Sequence, residues 1–288
     1  MIRIALFGTI AKAEALPDFL FFLSRLLESG AHIAVEEEFL VSLEERKMLQ
    51  DLTLYRLDEK SLAEATHIIS FGGDGTFLRT VHKVEHLTTP ILAINGGHLG
   101  FLTEFDASEA LNCIDRLLTN DYSIEERRIL SVEVEGKFLG YAFNEVAIQR
   151  RETGSMITVE THINEDYLAD YAADGLIVAP PSGSTAYSLS VNGPIIAPLC
   201  PVILLTPVAP HSLSMRPVVI PDDATINLKV YSRSSSFTIA IDGRFSVFAS
   251  GVPIVIRQAA HRVPMIRLGT HSFYETLRTK LMWGKNLR

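Results

Sequence analysis

A chain of 288 residues, 47% hydrophobic and 21% charged, has ordinary globular usage and enough length for two modest domains, with no need of a disulfide or metal staple. Its 26 basic residues are scattered among 34 acidic ones for a net charge of −8, which excludes a sequence-independent nucleic-acid surface. No run approaches a membrane span, the start MIRIALFG runs straight into a strand pattern, and only Cys113 and Cys200 occur, both in apolar surroundings; these features predict core cysteines and a cytoplasmic protein.

Along the chain, short apolar runs predict strands over 2–7, 33–35, 67–71 and 91–94, and helical periodicity predicts helices over 15–28 and 107–118. Strands alternating with helices at that spacing imply an open parallel α/β sheet. Two of its strands run into glycine, at Gly72-Gly73-Asp74-Gly75 and at Asn95-Gly96-Gly97. Ligands of such sheets sit beyond the carboxyl ends of strands, so these loops are where chemistry belongs. From about Ser123 the pattern changes to strands over 130–135, 138–148, 156–163, 225–231, 237–241 and 252–257, a β-rich second domain. Its middle is interrupted by the loop Pro180-Pro181-Ser182-Gly183-Ser184-Thr185, and the tail over 272–283 reads as a final helix. The expected divisions are therefore 1–121, 122–271 and 272–288.

Four elements stand out chemically. In Ser70-Phe71-Gly72-Gly73-Asp74-Gly75-Thr76 a strand meets three glycines and one acid where a helix begins. Glycine amides and the helix dipole make a triphosphate cradle there, although Asp74 as a simple helix cap is the plainer alternative. The loop is neither a Walker loop nor the dinucleotide fingerprint. The second element, Asp174-Gly175 through Tyr187, sets an acid at one end of an apolar strand and a hydroxyl-rich loop at the other; it suits ribose and phosphate, or is a surface connection. In the third, Asn144-Glu145 interrupts an apolar strand, so the pair either needs partners in the interior or alternates onto a solvated face. The fourth, Asp242-Gly243, is on its own a good hairpin turn. His82 and His86 have the i, i+4 spacing of zinc ligands but no third ligand nearby, and read as a solvated helix face. Ser184 lacks the Gly-x-Ser-x-Gly elbow of a hydrolase.

Taken together and in order, Gly72-Gly73-Asp74-Gly75, Asn95-Gly96-Gly97-His98-Leu99-Gly100-Phe101-Leu102, Asn144-Glu145, Asp174-Gly175 through Tyr187, and Asp242-Gly243 resemble the NAD kinase family over nearly the whole chain. The resemblance implies an N-terminal α/β domain, a C-terminal β-sandwich-like domain with the last helix returning to the first, a site between the domains, and homodimers or homotetramers. It implies transfer of the γ-phosphoryl group of ATP to the 2′-hydroxyl of the adenosine ribose of NAD, with a divalent metal, Mg²⁺, carried by the triphosphate; polyphosphate as donor stays open. Carried over by position, Asp74 is the catalytic acid that aligns the hydroxyl, and Gly72, Gly73, Gly75 and Thr76 hold phosphate. Asp74, Gly75, Phe101, Asn144, Glu145, Asp174, Ser182, Thr185, Ala186, Tyr187, Ser188, Leu189, Ser190 and Ala209 line the NAD pocket. Ala172-Ala173 departs from the Arg-Gly that many members carry before the acid. A lipid or sugar kinase of the same superfamily, and a non-catalytic NAD(P) sensor, are the alternatives.

Overall fold

The computed structural model describes residues 2–10, 12–49, 52–97, 100–103, 105–152, 154–269 and 272–284; His98 and Leu99 of the second glycine motif lie outside the described residues. The chain forms two compact units, residues 1–126 with 263–288, and residues 127–262.

In chain order the first unit holds β1 (Arg3–Gly8), α1 (Leu16–Glu28), β2 (His32–Val35), α2 (Glu37–Glu45), β3 (Tyr55–Arg56), α3 (Glu59–Ala63), β4 (His67–Gly72), α4 (Asp74–Lys83), β5 (Ile91–Asn95), β6 (Phe105–Asp106), α5 (Ala107–Asn112), α6 (Ile114–Leu118) and β7 (Ser123–Arg127). Strands β1, β4 and β5 are continuous apolar runs buried almost throughout, the signature of parallel strands covered by helices on both faces. Helix α1 turns Leu16, Phe19, Leu23 and Leu26 inward at helical spacing, and Phe19 stacks on Phe71 of β4 with ring centroids 3.7 Å apart. The segment 107–118, read as one helix, is two, divided at Cys113, whose backbone (φ −103°, ψ 10°) leaves the helical region. Cys113 and Cys200 are half-buried, not core residues.

The second unit holds β8 (Leu130–Val134), β9 (Lys137–Ala142), β10 (Val146–Arg150), β11 (Ile157–Ile163), β12 (Asp166–Ala173), β13 (Gly175–Ala179), a 3₁₀ turn (Pro181–Thr185), α7 (Tyr187–Ser190), β14 (Val202–Val208), β15 (Val218–Pro221), β16 (Ile226–Ser232), β17 (Ser236–Ile241), β18 (Arg244–Ala249) and β19 (Pro253–Gln258). They make two six-stranded sheets, β15-β14-β13-β10-β17-β18 and β12-β11-β16-β19-β8-β9. Alternating residues from both, among them Val132, Ile148, Val159, Leu176, Phe237 and Ile254, share one core, which makes the unit a β-sandwich.

The chain re-enters the first unit at Val263 with β20 (Val263–Arg267), where Met265 pairs with Ile91 of β5, and ends in α8 (Phe273–Lys280). The buried run of β20 requires a neighbour on the sheet, so a strand returns ahead of the helix. The completed sheet has the order β3-β2-β1-β4-β5-β20-β7, with β6 beside β5. The chain moves outward from β1 through β2 and β3, then crosses to place β4 on the other side of β1. The order reverses between β1 and β4, and the crevice that such a reversal opens lies at their carboxyl ends.

Candidate active site

In the first unit, β4 delivers the glycine loop to that crevice. Gly73 is the N-cap of α4 and Asp74 its first helical residue, so the plainer reading of Asp74 as a cap does not hold. Its carboxylate turns instead to the segment after β5. Oδ2 accepts the backbone N–H of Phe101 at 2.7 Å; Oδ1 accepts those of Leu102 and Thr103, both at 3.1 Å, and the Thr103 hydroxyl at 3.0 Å. The approach is so close that a Cβ on Gly100 would lie 1.5 Å from Asp74 Oδ1, which is why glycine stands there. The two glycine motifs are thus one object, joined by a single carboxylate. The positions that side chains would occupy at Gly73 and Gly75 are open, and of the first-turn amides that of Thr76 already donates to the Gly73 carbonyl at 2.9 Å. Half-buried Lys280 of α8 is an electrostatic neighbour of Asp74: burial lowers its pKa, and the carboxylate opposes that shift.

A second carboxylate organises the sandwich unit in the same way. Asp242, at the β17–β18 turn, has φ 46° and is followed by Gly243 at 82°, the left-handed pair that closes a two-residue hairpin. Its Oδ2 accepts the N–H of Phe143 at 2.8 Å, and Oδ1 accepts those of Asn144 and Glu145 at 2.8 and 2.9 Å. These three bonds pull residues 143–145 out of the ladder, so the run 138–148, read as one strand, is β9 and β10 with a kink between them. The kink turns the Asn144 and Glu145 side chains inward: Asn144 Oδ1 and Glu145 Oε2 are buried with no hydrogen-bond partner. The Glu145 pKa is raised to about 7, first by burial and then by Asp242, with the Tyr187 backbone N–H pulling it back. Buried unsatisfied acceptors of this kind mark where a donor-bearing ligand fits.

The 3₁₀ turn packs on this kink, since a Cβ on Gly183 would lie 1.7 Å from the Asn144 carbonyl oxygen. Ser182 Oγ accepts from Arg127 Nη1 at 3.3 Å, the Thr185 hydroxyl donates to the Ser182 carbonyl, and the Tyr187 hydroxyl accepts from Gln149 Nε2 at 3.0 Å. Ser188 bonds Thr206 in the interior at 2.8 Å and Ser190 donates to the Tyr187 carbonyl, so these two hydroxyls serve the fold. Ala186 and Leu189 are half-buried in the same stretch. At the start of β13, Asp174 pairs with Arg150 at 3.0 Å, and its N–H donates to Val208, next to Ala209 in left-handed backbone (φ 45°). Helix α4 ends at Lys83, so His82 and His86 do not share a helix face. Sequence alone marks Asp242-Gly243 only as a hairpin turn and a family motif, and carries no signal for Lys280, Gln149, Arg127 or Arg150.

Comparison with known proteins agrees with this arrangement. The ATP-NAD kinase N-terminal domain matches residues 9–122 and the ATP-NAD kinase C-terminal domain residues 143–268. An NAD kinase of Porphyromonas gingivalis is 48% identical over 290 residues, spanning 100% of both chains, and one of Bacteroides fragilis is 42% identical over 289 residues, spanning 99% of each. In fold, the chain is similar to yeast NADH kinase complexed with NADH (TM-score 0.88, 23% identity, 100% of this chain and 89% of that one). It is likewise similar to an NAD kinase from Archaeoglobus fulgidus in complex with ATP (TM-score 0.73, 22% identity, 98% and 99%). With both domains matched in order and such identity sustained from end to end, the chain belongs to the NAD kinase family.

Proposed function

We propose that this phosphotransferase moves the γ-phosphoryl group of ATP to the 2′-hydroxyl of the adenosine ribose of NAD, giving NADP. The observation that carries the reading is Asp74, fixed at the first turn of α4 by three backbone amides and one hydroxyl. Phosphoryl transfer depends on positioning and charge stabilisation more than on covalent help. Oδ1 already takes three donors whereas Oδ2 takes one, so Oδ2 is the atom with a lone pair for the ribose hydroxyl. The rigid carboxylate orients that hydroxyl for in-line attack while the amides at Gly73 to Gly75 receive phosphate oxygens.

The sandwich unit supplies dinucleotide recognition: Asn144 Oδ1 and Glu145 Oε2 are acceptors suited to ribose hydroxyl and amine donors, the turn carrying Ser182 and Thr185 packs on Asn144, Tyr187 bonds Gln149, and Asp174 and Ala209 lie where β10 ends at Arg150. Among the described residues no three His, Cys, Asp or Glu side chains are grouped to hold an ion. Mg²⁺ would arrive on the triphosphate, held chiefly by phosphates and water, and would neutralise phosphate charge. Among the described residues, no helix is long and apolar enough to cross a membrane. The reading extends to a cytoplasmic homodimer or homotetramer, supported by edge strand β18, which leaves Phe245 and Val247 75% and 48% exposed. NADP formation by the purified protein from NAD, ATP and Mg²⁺ tests the function; NAD binding without turnover would instead favour a sensor.

A further inference from the structure

The glycine loop offers a donor only amides and a helix dipole, yet a triphosphate carries several negative charges that full side-chain cations hold more strongly. The crevice between β1 and β4 has a second wall, the loop after β1, held in place by the Thr9 N–H on the Phe71 carbonyl at 2.8 Å. Facing it, α4 carries Gly75, Arg79 and Lys83 at successive i, i+4 positions, one stripe along the helix. Arg79 Nη2 donates to the Gly8 carbonyl at 3.1 Å and to the Thr9 hydroxyl oxygen at 3.0 Å. Beneath them Glu36, its side chain 8% exposed, pairs with Arg79 at 3.6 Å and with Lys83. Two cations against one buried carboxylate leave one positive charge in excess. All three Arg79 contacts use Nη2, Nε is buried, and the side chain is 39% exposed, so Nη1 keeps its two N–H groups for an incoming anion.

We propose that Arg79 is a donor-binding residue: with Thr9 it clamps the phosphate chain of the nucleoside triphosphate, one helical turn, about 6 Å, from Gly75 of the phosphate-holding loop. Glu36 is its positioning residue, holding Arg79 and Lys83 against the loop after β1. The proposal rests on the ATP-dependent reading above but not on the identity of the acceptor.

The test is calorimetric titration with MgATP in the absence of NAD, on the wild type, Arg79→Ala, Arg79→Gln and Arg79→Lys, followed by steady-state kinetics. Arg79→Ala and Arg79→Gln are expected to bind MgATP at least tenfold more weakly, with KM for ATP raised in parallel, KM for NAD unchanged and partial rescue by Arg79→Lys. Arg79→Gln retains a donor for the Gly8 carbonyl and carries the test if the alanine variant fails to fold. MgATP affinity at the wild-type level in a folded Arg79→Gln protein overturns the proposal, whatever its melting temperature. A wild type that binds MgATP through Arg79 but forms no NADP overturns the acceptor and leaves the clamp standing.

Discussion

Asp242 Oδ1 sits 2.9 Å from the backbone nitrogen of Glu145, so one carboxylate positions another that it also repels. The bond kinks the chain at residues 143–145 and sends the Glu145 side chain inward; the negative charge of Asp242 then helps keep that carboxyl protonated near neutrality. Asp74 does the same for the backbone at Phe101, Leu102 and Thr103. In both units a loop that sequence alone would leave adaptable is fixed by an acid accepting consecutive amides.

Replacing Asp242 by alanine removes the acceptor of three N–H groups. At about 1–3 kcal/mol for each buried donor left unsatisfied, with water able to relieve some of them, the unit should lose at least 2 kcal/mol of stability. The Asp242→Ala protein should also bind NAD more than tenfold more weakly, because the Asn144 and Glu145 side chains lose their frame. Urea denaturation and NAD titration read the two effects separately; undiminished NAD affinity would show that the kink does not serve the ligand.

Glu145 predicts a pH dependence. Its folded pKa is raised from 4.5 to about 7, so the folded protein holds a proton that the unfolded chain releases. Its stabilising contribution is complete below about pH 4.5, shrinks as the pH rises, and is gone above about 7; the span corresponds to roughly 3 kcal/mol. Glu145→Gln abolishes this titration. The stability of the variant relative to the wild type should therefore climb between pH 5 and 7.5 and then level off in urea unfolding, and parallel curves would refute the assignment.

How much of this was legible follows from what each feature leaves in the sequence. Strand β4, the glycines and helix α1 announce themselves because burial on a parallel sheet demands continuous apolar runs and helical spacing. The kink at residues 143–145 does not: 138–148 is a good strand by composition, and what breaks it is a bond to Asp242, remote in sequence. Asp74 looked equally like a cap, since Asp is favoured both at helix starts and wherever amides need an acceptor. Arg79, Lys83 and Glu36 leave no signal at all, because nothing in a single sequence says which strand order brings them to a crevice. The return through β20 was hidden for a related reason: an apolar run as short as 263–266 fits either unit until its neighbours are known.

Two glycines should separate the units' roles. Gly100→Ala forces a methyl group into Asp74 Oδ1, and Gly183→Ala forces one into the Asn144 carbonyl. Both contacts are with groups that cannot swing aside, so each loop must move. Gly100→Ala should lower kcat by at least a hundredfold with NAD affinity changed less than threefold. Gly183→Ala should weaken NAD binding at least tenfold. Equal effects of both on NAD affinity would argue against the division of labour.

Asp74 itself needs a paired test, because it is both an anchor and the proposed aligning group. Asp74→Asn must present its NH₂ either to the Phe101 N–H or to the Leu102 and Thr103 N–H groups, setting donor against donor. A destabilisation of about 2–3 kcal/mol is therefore expected together with loss of turnover of at least a thousandfold. Thr103→Val separates the two effects. It deletes the hydroxyl bond to Oδ1, together with the bonds that the hydroxyl oxygen accepts from the Gly100 N–H and from Asn95 Nδ2, and leaves the three amides and Oδ2 in place. Were anchoring the whole role of Asp74, the two variants would lose activity in proportion to their loss of stability. If Oδ2 aligns the ribose hydroxyl, Thr103→Val should cost about 2–3 kcal/mol of stability, as much as Asp74→Asn, but less than tenfold in kcat, with KM for NAD unchanged. Asp74→Asn should then fall far below the line that Thr103→Val defines, and a common line for both would remove Asp74 from the chemistry and leave it as the anchor of its loop.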